Sequence, residues 1–576
     1  MTSIPDDLSR WVWDQRYRWR TGNDAHDAGM EATRARVARA VAAAEASRRS
    51  EWDAAFRALL DGWNFLPGGR ILAGAGTGRS VTLLNCFVMG QIEDSLPGIF
   101  GALEEAAVTL QLGGGIGCDF STLRPRGASA ASAGTTASGP VSFMHVWNSM
   151  CATVLASGNR RGAMMATLRV DHPDVLEFID AKRDPSALRF FNLSVQVTDR
   201  FLEAVRRDEP WPLAHPAGSE SIARVLPARE LWSRLLESSY GMSEPGVLFV
   251  DTINRENNLA WRESLTTTNP CGEVPLPPYG ACDLGSINLP RFVRGPFTAA
   301  AALDLDAIEA AATTAVRFLD DVLDVTRFPL PQQSAAALAT RRIGLGITGL
   351  ADALCMLGLR YDSQAARDLA ATTMRRICLA AYAVSAGLSA EKGAFPAFDR
   401  DRYLAAPFVR RLPAQLRDRI ADRGIRNSHL TAIAPAGTIS LLAGNASSGI
   451  EPIFEFNGRR RVLDRDGQPV DFDVTDGAVR LWHELHRAAP LPETFVTATE
   501  IAPDDHLLMQ AALQPWVDGA ISKTISLPAD FPRERYGALY ERAHALGLKG
   551  CTTYRAGTAR GQVIGPADVE RCCTVA

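Results

Sequence analysis

The sequence has no long hydrophobic run and no large excess of charge of one sign. No uninterrupted apolar stretch reaches the roughly 20 residues that a membrane-spanning helix needs. The formal net charge is -4, and charged residues make up 22% of the 576 residues. This balance argues against attraction to nucleic acid or to a membrane surface, and we expect a soluble protein that binds neither.

Signals for export, disulfide scaffolds and zinc sites are also missing. The first 20 residues are polar, with Asp6, Asp7 and several arginines, which is not the pattern of a secretory signal peptide. Ten cysteines are too few for a disulfide scaffold in a chain of this length, and they indicate a reducing compartment, so we expect a cytoplasmic protein. No Cys-x-x-Cys pair is present, and neither Cys271 nor Cys282 has a histidine at zinc spacing, so we predict no metal site.

Short β-prone runs such as Gly246–Val250 alternate with helical stretches along the chain. This alternation predicts an α/β fold with a substantial parallel component, but it does not distinguish a doubly wound sheet from a barrel. Residues 303–326 repeat apolar side chains at alternating four- and three-residue steps, which predicts an amphipathic helix. Residues 1–60 have a helical pattern and are predicted to form an appendage to the main domain.

The segment Thr268–Glu273 is the most informative part of the chain. It carries an amide, a thiol and a carboxylate at alternating positions, Asn269, Cys271 and Glu273. In an extended segment these three side chains would share one face. A thiol between a hydrogen-bonding amide and a possible general base suits catalysis, although a single cysteine is more often a small packing residue.

The motifs around this segment resemble those of the catalytic subunit of ribonucleotide reductases. Each motif is weak alone, but the ordered set is specific and covers roughly residues 60–565. Within the family, the chain looks most like the class II, adenosylcobalamin-dependent enzymes. The matching segments are Gly113–Gly117, Arg160–Met165, Asn192–Val195, Asn269–Glu273, Cys282–Leu289, Arg342–Gly346, Pro435–Ser440 and Gly550–Arg555.

The resemblance implies a particular fold and domain organisation. The expected fold is a ten-stranded α/β barrel made of two half-barrels, with Cys271 on a finger loop inside it. We therefore divide the chain into a helical N-terminal segment at residues 1–60, the barrel at residues 61–560 and a flexible C-terminal tail at residues 561–576.

The same resemblance implies a radical mechanism that uses adenosylcobalamin. A thiyl radical on Cys271 would take the 3′ hydrogen atom of a ribonucleotide, while Glu273 accepts the 3′-hydroxyl proton as general base and Asn269 holds the substrate hydroxyls. Cys86 and Cys282 match the cysteine pair that ends as a disulfide. That role requires the fold to bring their Cα atoms to roughly 4.4–6.8 Å. The alternative for each is a buried, inert cysteine.

The segment Pro435–Ser440 is a candidate phosphate-binding turn, because it follows a β-like run and precedes a possible helix start. Backbone N–H groups at a helix N-terminus bind phosphate without a cationic side chain. The alternative is an ordinary strand-to-helix turn with Thr438 or Ser440 as the N-cap. The resemblance implies that the substrate pocket is lined by Asn85, Gly114, Pro435, Ala436, Gly437, Thr438 and Ile439.

Relatives bind a deoxynucleoside triphosphate effector at a homodimer interface, where a loop selects the base. Asp94 and Ser95 match positions that contact the effector, and Arg160 and Arg161 lie in a segment that resembles the loop. The resemblance therefore implies an effector site and a homodimer. The alternative for the arginine pair is a solvated basic turn.

Relatives also carry C-terminal cysteines that pass electrons from a thioredoxin-like reductant to the active site. This chain ends with two adjacent cysteines, Cys572 and Cys573, rather than spaced ones. A disulfide between neighbours closes a small strained ring, and strain makes a disulfide easier to reduce. We favour a shuttle role for this pair over a terminal remnant without function.

Two other functions remain open at this point. A class I large subunit would receive its radical from a separate subunit through adjacent tyrosines, whereas Tyr536, Tyr540 and Tyr554 each stand without a neighbouring tyrosine. A nucleotide-binding regulator without catalysis is the second alternative, and the presence of all five chemical residues argues against it. Similarity to dimeric class II enzymes favours diphosphate substrates.

Overall fold

The computed structural model describes residues 7–22, 24–130, 135–154, 162–216, 222–464, 468–487 and 489–558. The strands are β1 Arg20–Thr21, β2 Asp24–Ala25, β3 Phe65–Pro67, β4 Cys86–Val88, β5 Gly115–Asp119, β6 Ser129–Ala130, β7 Thr135–Thr136, β8 Met164–Arg169, β9 Phe191–Val197, β10 Pro210–Ala214, β11 Ile222–Pro227, β12 Gly246–Phe249, β13 Thr267–Thr268, β14 Pro275–Leu276, β15 Ala281–Asn288, β16 Val293–Arg294, β17 Ala302–Leu303, β18 Ile343–Thr348, β19 Asn457–Leu463, β20 Pro469–Thr475, β21 Thr524–Leu527 and β22 Gly550–Arg555. The helices are α1 Asp7–Arg16, α2 Met30–Val41, α3 Arg49–Leu60, α4 Gly69–Gly74, α5 Leu96–Gln111, α6 Pro140–Thr153, α7 Val175–Asp180, α8 Asp199–Arg207, α9 Ala228–Met242, α10 Val250–Arg255, α11 Leu305–Val325, α12 Pro331–Thr340, α13 Leu350–Met356, α14 Gln364–Lys392, α15 Arg400–Ala405, α16 Pro407–Arg410, α17 Ala414–Arg423, α18 Gly437–Leu442, α19 Gly477–His486, α20 Pro503–Leu513 and α21 Arg533–Ala545.

The central sheet consists of two parallel halves. In the first half, β4, β5, β8, β9 and β12 lie side by side and pair in parallel. In the second half, β15 pairs in parallel with β18, and β21 pairs in parallel with β22. Residues 431–433 fill the space between β18 and β21 through parallel bridges from Thr431 to Leu345 and from Ile433 to Ile521. Each half thus contains five extended segments, with helices between successive segments as parallel connections require.

The two halves run in opposite directions and join at both edges. β4 pairs antiparallel with β15, and β12 pairs antiparallel with β22. These two junctions close the ten segments into a barrel. The expected α/β barrel of two half-barrels is therefore confirmed, with a short bridged segment rather than a full strand as its tenth member.

The helices follow the periodicity of the sequence. The helix predicted at residues 303–326 is α11, Leu305–Val325. The apolar side chains that repeat at alternating four- and three-residue steps along it are buried. Asp304 caps its first turn by accepting the Ala307 N–H at 3.1 Å. No helix in the described part of the chain is both long enough and apolar enough to cross a membrane.

The N-terminal helices pack against the outside of the barrel through buried charges. The Glu45 carboxylate accepts hydrogen bonds from Arg317 on α11 at 2.6 and 2.9 Å, and from Lys392 on α14 at 2.9 Å. The Arg317 guanidinium also lies over the Trp52 ring, 4.0 Å from its centre. Because these groups are largely buried, the contacts fix the N-terminal segment against α11 and α14.

A short hairpin occupies the barrel interior. Its strands, β13 and β14, pair antiparallel, and residues 269–274 form its tip, which we call the finger. The hairpin approaches β5 so closely that a Cβ on Gly117 would lie 1.9 Å from the Thr268 carbonyl oxygen. Only a residue without a side chain fits at this point of β5, so Gly117 determines how deeply the finger enters the barrel.

We expect Gly117→Ala to lower the free energy of unfolding by at least about 2 kcal/mol, because the added methyl group overpacks the barrel interior against a backbone oxygen. Chemical denaturation with two spectroscopic probes measures this loss. Gly241→Ala is the matched control, since a Cβ at this helical position meets no atom within 4 Å. That control should be neutral or stabilising by up to about 1 kcal/mol. Equal stabilities for the two variants would contradict the tight contact.

Candidate active site

The finger is a turn and not the extended segment in which alternating side chains would share a face. The Gly272 N–H donates to the Asn269 carbonyl at 3.1 Å, and the Asn269 N–H donates to the Val274 carbonyl at 3.3 Å. Gly272 has a φ of +87°, a backbone conformation that favours glycine. The assumption of an extended strand was therefore wrong, because the chain must reverse direction at the tip of a hairpin.

Side-chain and backbone contacts hold the finger in place. The Asn269 Oδ1 atom accepts hydrogen bonds from the Val274 N–H at 3.0 Å and the Thr268 hydroxyl at 3.1 Å. Asn192, on β9, donates through Nδ2 to the Pro270 carbonyl at 2.9 Å. On the other side of the finger, the Ala520 N–H donates to the Glu273 carbonyl at 2.8 Å. The finger is thus attached to both halves of the barrel.

Asn269 and Glu273 converge on the sulfur of Cys86. The Asn269 Nδ2 atom donates to the Cys86 sulfur at 3.2 Å, and the Cys86 thiol points to Glu273 Oε1 at 3.9 Å. All three residues are buried. The turn therefore brings together the amide and the carboxyl group that the sequence placed four residues apart.

Cys86 and Cys282 lie directly opposite each other across the junction of the two half-barrels. They are register partners in the antiparallel pair of β4 and β15. Opposed residues in such a pair have Cα atoms about 4.5–5.5 Å apart, which falls within the range that a disulfide spans. Both are free thiols in this structure. They belong to a small apolar cluster inside the barrel that also contains Val88, Val274 and Leu276.

Burial sets the protonation of these groups. It raises the pKa of both the Cys86 and Cys282 thiols well above the usual value, and nearby acidic groups raise them further. Burial also raises the pKa of Glu273 to about 7, and hydrogen bonding from Asn269 and Cys86 lowers it only in part. At neutral pH the two thiols hold their protons, and Glu273 is poised to gain or lose one.

Cys271 differs from its neighbours in exposure. It is partly exposed, whereas Cys86, Cys282 and Glu273 are buried. It is also close enough to Cys86 to contribute to the raised pKa of that thiol. A molecule entering the barrel can therefore meet the Cys271 side chain before it meets the buried pair.

Two buried oxygen atoms of the site have no hydrogen-bond partner among the described residues. They are Asn85 Oδ1 and Glu273 Oε2. Buried polar atoms are nearly always paired, so an unpaired one calls for an explanation. Gly114 immediately precedes β5, and a Cβ on it would lie 2.6 Å from the Phe87 ring. Both oxygens are suited to contact a polar ligand.

The candidate phosphate turn leads from residues 431–433 into α18. α18 begins at Gly437 and Ala436 is its N-cap, with a φ of +51° and no capping side chain. The alternative with Thr438 or Ser440 as the N-cap is therefore wrong; the Ser440 hydroxyl instead donates to the Gly437 carbonyl at 2.8 Å. Helix geometry leaves the first N–H groups of α18 without intrahelical acceptors. They include those of Gly437 and Ile439, which follow Pro435 and Ala436.

The expected effector residues are only partly within the described chain. Asp94 forms an ion pair with Arg124 at 2.7 Å, and Ser95 caps α5 by accepting the Gly98 N–H at 3.1 Å. Arg160 and Arg161 lie outside the described residues, as do Cys572 and Cys573 of the tail. The structure thus brings the catalytic set together and leaves the effector and shuttle assignments as predictions.

Several contacts around the site had no signal in the sequence. Asp518 is buried in the loop whose Ala520 N–H contacts Glu273, and buried Lys549 donates to the carbonyls of Asp518 and Gly519, yet neither residue lies in a motif of the finger. Tyr536 and Tyr540 stand apart in sequence but occupy neighbouring turns of α21, and their hydroxyls are 3.2 Å apart. A four-residue spacing on a helix is the only pattern that could have indicated the tyrosine pair.

The fold and the site define a particular class of protein: an α/β barrel of two antiparallel halves, with three cysteines and a buried carboxyl group around one interior hairpin. A family model described as the ribonucleotide reductase barrel domain matches residues 84–554. A second, described as the ribonucleotide reductase all-alpha domain, matches residues 5–80.

Named relatives agree with this classification. The chain is 44% identical over 558 residues to a vitamin B12-dependent ribonucleoside-diphosphate reductase of Mycobacterium tuberculosis, covering 92% of this chain and 76% of the relative. It is 36% identical to a protein of the same name from Thermoplasma acidophilum, covering 89% of this chain and 66% of the relative. A ribonucleoside-diphosphate reductase large chain of Schizosaccharomyces pombe is 28% identical over 72% of this chain and 55% of that protein. The chain belongs to the ribonucleotide reductase family.

The raised pKa of Glu273 predicts how stability depends on pH. Its carboxyl group has a pKa of about 7 in the folded chain, against about 4.3 in an unfolded one. Between these values the unfolded chain releases the proton first, so the free energy of unfolding falls as pH rises. Glu273→Gln removes this effect. From pH 5 to pH 8, the variant should gain about 2 kcal/mol of stability relative to the wild type.

Denaturant unfolding of both proteins at several pH values measures this gain. Glutamine keeps the size of the side chain and an acceptor for the Cys86 thiol, so the comparison isolates the ionisation. Stability curves that stay parallel from pH 5 to pH 8 would show that Glu273 titrates normally in the folded chain.

Proposed function

We propose that this chain reduces ribonucleoside diphosphates to 2′-deoxyribonucleotides for DNA synthesis, with adenosylcobalamin as the source of the radical. The observation that carries the proposal is the gathering of Cys86, Cys282, Asn269 and Glu273 around one buried finger that also bears Cys271. The names of the 44% and 36% identical relatives support the diphosphate substrate and the vitamin B12 cofactor.

The residues present fit this cofactor. Adenosylcobalamin, when bound, supplies a carbon-centred radical that can take a hydrogen atom from a thiol. Cys271 is a thiol on the finger and is partly exposed, so it is the residue that can meet a bulky cofactor. The other two thiols and Glu273 are buried and therefore out of contact with bulk water.

Three residues of the finger, Cys271, Glu273 and Asn269, then have one task each. The thiyl radical on Cys271 takes the hydrogen atom from the 3′ carbon of the ribose. Glu273 accepts the proton of the 3′-hydroxyl group, and a pKa of about 7 suits a general base at neutral pH. Asn269 holds the substrate hydroxyls by hydrogen bonds, and its own Oδ1 is fixed by the Val274 N–H and the Thr268 hydroxyl.

Cys86 and Cys282 provide the two electrons and two protons of the reduction. One thiol protonates the 2′-hydroxyl group, which leaves as water, and a hydrogen replaces it on the 2′ carbon. The two sulfurs then share a new disulfide bond, so the ribonucleotide is reduced and the cysteine pair is oxidised. The raised pKa values of both thiols keep these protons in place until the reaction needs them. At the end of the cycle the Cys271 thiol returns the hydrogen atom to the 3′ carbon and becomes a thiyl radical again, and Glu273 returns the proton to the 3′ oxygen.

The substrate pocket extends from the finger to the phosphate turn. The unpaired Oδ1 of Asn85 is suited to bind a ribose hydroxyl. Gly114 has no side chain, so the Phe87 ring packs against the Gly114 backbone. The phosphates would bind the N–H groups that follow Ala436 at the start of α18. The segment Pro435–Ile439 supplies this turn.

We also propose a homodimer that binds a deoxynucleoside triphosphate effector. α5 begins at Leu96, directly after its N-cap Ser95 and close to Asp94. It exposes two large apolar side chains on one face, Leu96 at 62% and Phe100 at 51%. Exposed apolar side chains four residues apart on a helix suit contact with a second copy of the chain. The effector would bind beside Asp94 and Ser95, together with Arg160 and Arg161.

The disulfide must be reduced again after each turnover. We propose that Cys572 and Cys573 carry electrons from a thioredoxin-like protein to Cys86 and Cys282. The last described residue, Thr558, follows β22, a strand of the barrel wall, and Cys572 and Cys573 lie outside the described residues. All eight described cysteines are free thiols, which is consistent with the expected reducing, cytoplasmic location.

An anaerobic assay with a small dithiol tests the proposed activity. We expect the wild type to form deoxyribonucleotide from a ribonucleoside diphosphate only when adenosylcobalamin is added. Cys271→Ser should lower the rate at least about a thousandfold, because serine has no sulfur atom on which the thiyl radical can form. Cys378→Ala is the control, since Cys378 is buried on α14 within the hydrophobic core, and the rate of this variant should stay within about threefold of the wild type.

Activity that needs a metal-containing partner subunit instead of adenosylcobalamin would favour a class I large subunit. Absence of activity under both conditions, with retained nucleotide binding, would favour a regulator without catalysis. Unchanged activity of Cys271→Ser would contradict the radical assignment itself.

The tail makes a separate prediction about the reductant. Cys572→Ser and Cys573→Ser should each lose at least about tenfold in turnover with a thioredoxin system, because neither can then carry a disulfide. Both should keep the wild-type rate with dithiothreitol, which is small enough to reach the barrel directly. Equal losses with both reductants would place the defect in the active site, and no loss with either would make the tail cysteines a remnant.

A further inference from the structure

We infer that Asp518 is a positioning residue for the reduction, acting on both the general base Glu273 and the phosphate turn. It does so through the loop of Asp518, Gly519 and Ala520, which we call the 518–520 loop. The inference rests on the proposed function, because it assigns a role to Asp518 in that same site.

The 518–520 loop contacts the finger at the main chain of Glu273. The Ala520 N–H donates to the Glu273 carbonyl at 2.8 Å. Gly519 lies so close that a Cβ on it would be 3.2 Å from the Glu273 carbonyl oxygen and 2.7 Å from the Thr431 carbonyl oxygen. The position of the Glu273 main chain therefore depends on the position of this loop.

The same loop is bonded to the segment that leads to the phosphate turn. The Gly519 N–H donates to the Thr431 carbonyl at 2.9 Å, and the Asp518 N–H donates to the Thr431 hydroxyl at 2.9 Å. The Ile433 N–H donates to the Ala520 carbonyl at 3.1 Å. Pro435, the first residue of the phosphate turn, follows Ile433 by two residues, so the loop and the segment that leads into the turn form one hydrogen-bonded unit.

The carboxylate of Asp518 fixes this unit. Its Oδ1 atom accepts the Thr431 N–H at 2.8 Å and the Thr431 hydroxyl at 3.0 Å. Its Oδ2 atom accepts the Leu430 N–H at 2.9 Å and the hydroxyl of Tyr382, on α14, at 2.6 Å. The residue is buried, so these four donors are its hydrogen-bond partners in place of water.

The four donors explain why a carboxylate is needed. An ionised carboxylate has two acceptor oxygens and no donor, whereas an asparagine amide has one of each. A backbone N–H faces each oxygen of Asp518, so an amide in either orientation would turn its NH₂ group toward a backbone N–H. Hydroxyl groups can rotate away from such a contact, but backbone N–H groups are fixed. Asparagine therefore keeps the volume of the side chain and breaks the anchor.

Lys549 holds the other side of the loop. Its ammonium group donates to the Asp518 carbonyl at 2.7 Å and to the Gly519 carbonyl at 2.5 Å. Lys549 is buried as well, and it lies immediately before β22. The loop is thus held from two barrel segments, and its carboxylate is balanced by a nearby cation.

Asp518→Asn should lower kcat for the proposed reduction by about a hundredfold, since displacing a catalytic group by about 1 Å has an effect of this size. KM for the ribonucleotide should rise in the same variant, because the phosphate turn shares the anchor. The acid limb of the pH profile of kcat/KM, which reports Glu273, should move to lower pH as the loosened carboxyl group gains contact with water.

Asp27→Asn is the matched control. Asp27 is an equally buried carboxylate that accepts the Trp19 N–H at 3.0 Å, the Thr33 hydroxyl at 2.7 Å and Arg36 at 2.9 Å, but it lies in the N-terminal segment. The control should lower the melting temperature while leaving kcat, KM and the acid limb unchanged. Tyr382→Phe is the milder variant, because it removes one donor to Asp518 and keeps the ring; it should lower kcat about threefold and move the acid limb in the same direction.

An active wild type together with a normal acid limb and KM in Asp518→Asn would overturn the inference and leave the proposed function standing. If Asp518→Asn does not fold, a Tyr382→Phe protein with wild-type kcat and acid limb overturns it equally. A wild type that does not reduce ribonucleotides with adenosylcobalamin would overturn the proposed function itself.

Discussion

The antiparallel pairing of β4 with β15 is the contact on which the rest of the site depends. It joins two parallel half-barrels that run in opposite directions, and it places Cys86 directly opposite Cys282. The register is specified by the side chains that are buried on the interior face of both strands, since alternate residues point to opposite faces. A slip of one residue would turn one of the two sulfurs to the other face of its strand. The closeness of the two sulfurs that the proposed disulfide chemistry requires therefore depends on sheet geometry.

Hydrogen bonds and a close backbone contact hold the finger, with its polar side chains, inside the barrel. Asn192, on β9 in the first half of the barrel, donates a hydrogen bond to the Pro270 carbonyl. Ala520, in the second half, donates one to the Glu273 carbonyl. Gly117 allows the hairpin to lie against β5 without a side chain between them. The same closeness removes water from Glu273, and that burial raises the pKa of its carboxyl group to about 7. The placement of the hairpin against β5 thus sets both the position of the Glu273 carboxyl group and its pKa.

Buried charges outside the barrel serve fold stability rather than chemistry. Asp320, Asp321 and Asp324 lie close enough together to hold a cation. Arg341 and Arg426 pair with Asp320, and Lys392 pairs with Asp321 and Glu45, so the acidic group is neutralised by the chain itself. Such networks lose much of their Coulombic gain to desolvation, and their main effect is to fix how neighbouring elements dock. Here they fix α11 and α14 against the N-terminal segment.

The sequence by itself determined the α/β class, the position of α11, the family and the five candidate catalytic residues, because these depend on periodicity and on ordered motifs. Only the tertiary structure decided how those residues meet. The finger is a turn and not a strand, since Gly272 reverses the chain, and α18 starts after Ala436 rather than at a side-chain cap. The opposition of Cys86 and Cys282, the pairing of Tyr536 with Tyr540 and the anchoring role of Asp518 join residues that are distant in sequence or lack a local pattern. Such contacts arise from long-range packing, which no local stretch of residues encodes.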